Sequence, residues 1–86
     1  MQADFSVLEK RVRDATEGSP IGERVKNIVL EADRDEEGSD FLRIILEVKP
    51  LEGVSDTDIE ALIESIEKVI GDVDERFPSV RFADAA

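Results

Sequence analysis

From Phe41 to Lys49 the chain reads Phe-Leu-Arg-Ile-Ile-Leu-Glu-Val-Lys, with Leu42, Ile44, Leu46 and Val48 at every second position. Side chains alternate across a strand, so this period puts those four on one face and Arg43, Glu47 and Lys49 on the other. A strand with one apolar face needs neighbours in a sheet and a second layer to cover it. The rest of the chain is read for both.

Upstream, Arg24 to Asp33 reads as a strand. Ile28, Leu30 and Ala32 alternate onto one face, and Val25, Asn27, Val29 and Glu31 onto the other. The polar stretch Arg34 to Asp40, with Gly38 in it, joins the two strands as a hairpin, and Pro50 ends the second. A first helix is predicted from Phe5, Leu8, Val12 and Ala15, which fall on one face at spacings of three and four. Asp4, or Ser6 with Glu9 three residues on, can cap its start, and Gly18-Ser19-Pro20 stops it. Ser55 with Asp58 caps a second helix, and Val54 can staple against Ile59. Its apolar stripe is Ile59, Leu62, Ile63, Ile66, Val69, Ile70 and Val73, and it ends near Gly71. After Phe77-Pro78 releases the chain, Ser79 to Ala83 makes a short third strand with Val80 and Phe82 on one face.

The order is α-β-β-α-β. A right-handed crossover through the second helix makes the second and third strands parallel. The predicted fold class is α+β, with both helices on one face of a three-stranded mixed sheet: a ferredoxin-like fold lacking its first strand. Eighty-six residues suffice for one domain, residues 1–86, and the 41% hydrophobic content is too high for disorder. No apolar run approaches the roughly 20 residues of a membrane helix, and Met1 to Lys10 lacks the apolar stretch of a signal peptide. The expected location is cytoplasmic.

What is missing narrows function. The chain has no Cys, His, Trp or Tyr. Without Cys and His it lacks the usual zinc, copper and haem ligands and the commonest general base. Six serines and two threonines therefore have no activating imidazole, and no nucleophile, phosphate-loop or dinucleotide motif occurs. No catalytic residue, metal ligand or cofactor is assigned, and the chain is not expected to be an enzyme.

Charge is unevenly placed. Residues 1–30 carry five basic and five acidic side chains. From Glu31 onward six basic residues stand against seventeen acids, so that segment holds the whole net charge of −11. Such a field repels phosphate backbones and anionic membranes, which argues against nucleic acid and membrane partners. Lys10, Arg11 and Arg13 lack interleaved aromatics and read as a solvated helix face. A basic protein is the natural complement.

Asp33, Asp35, Glu37 and Gly38 match loop positions one, three, five and six of an EF-hand. The match then fails at Asp40, where an apolar residue belongs, and at Ile44, where a bidentate Glu is needed. The segment reads as a hairpin turn. Glu60, Glu64 and Glu67 recur at helical spacing as a candidate docking strip for Lys or Arg, with Lys68 placed to support Glu64. The outer sheet face is the other candidate interface. Val25, Val29, Phe41 and Ile45 alternate opposite to the core positions, so helices on one side leave them uncovered, and exposed apolar patches mark interfaces.

Two resemblances accompany these readings. The run Asp74-Glu75-Arg76-Phe77-Pro78-Ser79-Val80-Arg81-Phe82 resembles small acidic bacterial proteins, some encoded beside HEPN-domain proteins. That likeness implies an antitoxin-like or accessory partner role. The α-β-β-α-β order is similar to the cytoplasmic domain of cation diffusion facilitators, whose members dimerise and bind metal through His and carboxylates. The functional expectation is a protein–protein interaction module that docks another protein or forms a homodimer. The alternative is a small sensory domain binding a divalent cation or small ligand through carboxylates.

The charge distribution yields a stability test. Seventeen acids from Glu31 onward repel one another in the folded state, and salt screens that repulsion over about 10 Å at 0.1 M. The melting temperature is expected to rise from low to physiological salt in calorimetric scans. A flat or falling response would show that the acids are already neutralised by pairing.

Overall fold

The computed structural model describes residues 2–85. Its elements are α1 (Phe5–Glu17), β1 (Val25–Arg34), β2 (Asp40–Val48), α2 (Asp56–Gly71) and β3 (Phe77–Asp84), with a 3-10 turn over Gly22–Arg24 before β1. The sheet order is β1-β2-β3, with β2 antiparallel to β1 and parallel to β3. This is the expected α+β architecture, and α1 and α2 pack side by side on one face of the sheet.

The alternation along β2 sets the core. Leu42, Ile44, Leu46 and Val48 have no solvent exposure. Leu8 and Val12 of α1 and Leu62, Ile66 and Ile70 of α2 close over them, with Ile21 beside them. Ile28, Leu30, Val80 and Phe82 flank this centre from the neighbouring strands. Each fully buried Leu or Ile contributes about 1.5–3 kcal/mol, so β2 and the two helices supply most of the apolar driving force.

Local signals explain several boundaries. The Ser55 hydroxyl accepts a hydrogen bond from the Asp58 amide at 3.4 Å, and Val54 and Ile59 both pack on the core as the staple requires. Asp4 occupies the N-cap of α1 without a side-chain cap bond. Gly38, at φ 85°, takes the left-handed conformation of the hairpin turn, where the Asp35 carboxylate accepts from the Glu37 and Ser39 amides. A Cβ at Gly22 would collide with the Thr16 carbonyl, so only glycine lets the chain leave α1 this closely.

Three expectations need correction. Val25 does not join the outer face. A β-bulge between Val25 and Asn27 shifts the register, pairing Val25 with Val48, and turns it onto the core side. Ala32 lies on the core side but remains exposed at the hairpin end. β3 begins at Phe77 instead of Ser79, because parallel pairing with β2 starts at Phe77 opposite Phe41.

The ends of the fold are joined by a buried ion pair. Asp74 has a fully buried side chain and Arg76 one only 9% exposed, at 2.7 Å. The Asp74 carboxylate accepts from the Arg76 amide and Nε, and from the Ala3 amide at 3.0 Å. Arg76 in turn donates to the Ala3 carbonyl at 3.4 Å. Thus the backbone N–H and C=O of Ala3 are both tied to the segment ahead of β3. The bound guanidinium holds the Asp74 carboxyl well below the usual carboxylate range, against the opposing effect of burial.

Asp74→Asn leaves Arg76 buried without its counter-charge, and breaking such a pair costs about 3–5 kcal/mol. Because the folded pKa is depressed, the contribution is fully present above the unfolded value near 3.9 and is lost as pH falls below it. Urea denaturation should therefore show a large deficit at pH 7 that narrows progressively once pH falls below about 4. A deficit under about 1 kcal/mol at pH 7 would mean that the pair does not hold the N-terminal segment in place.

Candidate functional site

The sheet face turned away from the helices carries the remaining half of every strand. Register places its side chains in four rows: Asp33, Phe41 and Phe77; Glu31, Arg43 and Ser79; Val29, Ile45 and Arg81; Asn27, Glu47 and Ala83. Of the expected patch, Val29, Phe41 and Ile45 lie here and are half-buried, although none packs against the core. Val29 and Ile45 are cross-strand neighbours, and Arg43 lies over Phe41. Phe77 is 64% exposed and extends the patch from Phe41 to the β3 edge.

Arg43 organises this face. Its guanidinium carbon sits 5.2 Å from the centre of the Phe41 ring, within cation–π range. The same group donates to the Asp33 carboxylate at 2.9 Å and lies 3.9 Å from Glu31. The Arg34 amide, and then Arg43, hold the Asp33 carboxyl below its ordinary range. Lower on the face, the Asn27 amide donates to Glu47 at 2.9 Å. The Arg81 guanidinium makes no hydrogen bond or ion pair among the described residues.

The other candidate residues stand elsewhere. Glu60 and Glu64 are exposed on α2 and Glu67 is half-exposed, in the helical layer on the opposite side of the molecule. The fold does not bring them together with Val29, Phe41 and Ile45. Helix α1 carries the ion pairs Lys10 with Asp14 and Arg13 with Glu9, whereas no pair joins Glu64 to Lys68. In the acidic turn, Asp35 is engaged by amides, Asp33 by Arg43 and Asp40 by Arg34. Among the described residues no three His, Cys, Asp or Glu side chains gather to hold a metal ion, and no helix is long and apolar enough to cross a membrane. A cleft of about 640 Å³ runs between the helices and is lined by Val7, Lys10, Arg11, Asp14, Ala15 and Val69.

Sequence reasoning missed Phe77 and Arg81 as members of the outer face. The signal was available in the period of two running back from Phe82, but Pro78 reads as a strand terminator. Proline is tolerated on an edge strand, and β3 is one.

No protein-family model matches the chain, and no curated protein matches it. Solved structures do share its fold. A His-to-Glu variant of the MamM CTD in a zinc form aligns with TM-score 0.54 at 18% identity, covering 98% of this chain and 89% of that one. An Asp-to-Glu variant of the same domain, also in a zinc form, aligns with TM-score 0.54 at 17% identity, covering 95% and 87%. A Val-to-Arg variant of MamM gives 0.52 at 16% identity, covering 98% and 88%. These neighbours are a cation diffusion facilitator C-terminal domain, in keeping with the architectural resemblance, and at such identities the likeness is one of fold.

Proposed function

We propose that this domain is a non-enzymatic docking module whose working surface is the outer face of its sheet. One observation carries the reading: Phe41 with the exposed Phe77, and Val29 with Ile45, form two apolar pairs outside the core, on either side of the row Glu31, Arg43 and Ser79, on a sheet layered by helices on its other side only. Apolar side chains left outside the core and interleaved with polar ones are typical of protein–protein contact surfaces. At roughly 25 cal/mol per Å², burying four such side chains contributes several kcal/mol before association costs are subtracted. The open edges at β1 and β3 add backbone groups that a neighbouring strand can pair with. An accessory or antitoxin-like role would use the same surface. The zinc forms of a similar fold motivate a cation-sensing reading, but here the carboxylates of the acidic turn already serve amides and arginines.

Two substitutions at adjacent positions test the proposal. Ile45→Lys adds charge to a face outside the core and should leave circular dichroism unchanged while weakening self-association or binding to a partner. Ile44→Lys forces an ammonium into a fully buried site, and its cost should exceed a large share of the 5–15 kcal/mol typical of a whole domain. It should therefore unfold the chain. If Ile45→Lys unfolds the protein as badly, both sheet faces are buried within the monomer and the docking face is lost. If it is folded and associates undiminished, the interface lies elsewhere.

A further inference from the structure

We infer that the cleft between α1 and α2 binds a small amphiphilic carboxylate, an acid head on an apolar body of medium length, with Arg11 as the group that takes the head. The site lies on the helical side of the molecule and does not depend on the outer sheet face.

Helical spacing builds the cleft. Val7, Arg11 and Ala15 follow one another at intervals of four, so they form one ridge on the flank of α1 that meets Val69 of α2. Lys10 and Asp14 form the next ridge toward solvent. Val7 is 43% exposed, and Ala15 and Val69 are half-buried, so the walls are apolar surface that neither helix covers. Phe5 is exposed as well. Two residues turn a helix by about 200°, which puts it on the other flank of α1, outside the cleft.

Charge singles out Arg11. Helix α1 is balanced, with Lys10, Arg11 and Arg13 against Glu9, Asp14 and Glu17. Two of its cations are matched within the helix, Lys10 by Asp14 at 3.4 Å and Arg13 by Glu9 at 2.7 Å. Arg11 is half-buried in the cleft wall and has no hydrogen bond or ion pair among the described residues. Its guanidinium keeps its charge at any working pH and offers donors in a fork that matches a carboxylate. Asp14 is the only acid of the lining and is already paired, so the cleft holds one surplus positive charge in a chain of net −11.

Size selects the class of ligand. The volume of about 640 Å³ falls within the range of roughly 300–1,000 Å³ for small-molecule sites. From Val7 to Ala15 the ridge runs about 12 Å, room for a medium-length acyl chain. A partner helix is itself about 10–12 Å across and needs a groove several turns long. Past Ala15 the seam narrows to a hollow of about 200 Å³ beside Gly18, Ala61 and Ser65, too small to continue one. An inorganic anion would use the guanidinium and leave Val7 and Val69 wet. Only a ligand with both an acid head and an apolar body serves the whole lining.

Sodium octanoate is the probe, with 1-octanol as its uncharged analogue of equal length. Each is titrated as a monomer into the full chain and followed by amide and methyl NMR shifts. Saturable octanoate binding is expected, with the largest shifts at Val7, Ala15 and Val69, and with octanol about tenfold weaker or worse. Arg11→Gln, a surface change, should raise the octanoate Kd about tenfold and remove the preference over octanol. Val7→Ser should weaken both ligands alike, because it trims the wall and leaves the charge in place. A preference for octanoate that survives in Arg11→Gln overturns the assignment of the head group. Shifts centred on the outer face around Ile45, or no saturation by millimolar octanoate, overturn the site.

Discussion

Everything in this fold hangs on the one-sided burial of β2. Its four aliphatic side chains are sealed under α1 and α2, while β1 and β3 complete its backbone pairing on both sides. A chain of this size buries only about 60–65% of the surface its unfolded form exposes. It has enough apolar residues for one interlayer, and that interlayer is spent on the helical side. The outer face is what remains. Its apolar residues persist there without contributing to the core, which is why their presence asks for a partner.

The elements with a clear period were legible in the sequence. β2, the stripe of α2 and the capping signal at Ser55 each rest on residues a few positions apart, and the structure returns them with boundaries shifted by a residue or so. What could not be read depended on pairing at a distance. The bulge that turns Val25 inward exists only because β1 must keep register with β2. The extension of β3 to Phe77 depends on Phe41 lying opposite. The Asp74 and Arg76 pair looks local, yet its role in holding Ala3 spans 71 residues. The interface candidates Val29, Phe41 and Ile45 were recoverable from alternation alone, and Glu60, Glu64 and Glu67 were recoverable as a helix face. That these two groups lie on opposite sides of the molecule follows only from the layering.

Charge and hydrophobicity are partitioned together. The acids crowd the hairpin turn and α2, which keeps the helical side and the loops wet. On the outer face Arg43 pairs with Asp33 and the neutral Asn27 amide donates to Glu47, and the acids Glu31, Asp33 and Glu47 stand against Arg43 and Arg81, leaving a surface of low net charge around Ile45. Neutralising a surface in this way lowers the desolvation cost of covering it, and the aromatic rings supply area with little rotamer entropy to lose. The two properties that make the face unusual for a monomer are the two that suit it to contact.

The claim beneath all of this is that the sheet is closed on one side and open on the other. The chain contains no cysteine, so a single introduced thiol reports without interference. The most direct measurement is the rate of disulfide exchange with a small aromatic disulfide reagent at Ile45→Cys and at Ile44→Cys, in dilute solution. With one face open, the thiol at position 45 reacts at close to the rate of the unfolded chain, while that at 44 is slowed by the free energy of opening the core. Equal, strong protection at both positions in the dilute protein would contradict the open face.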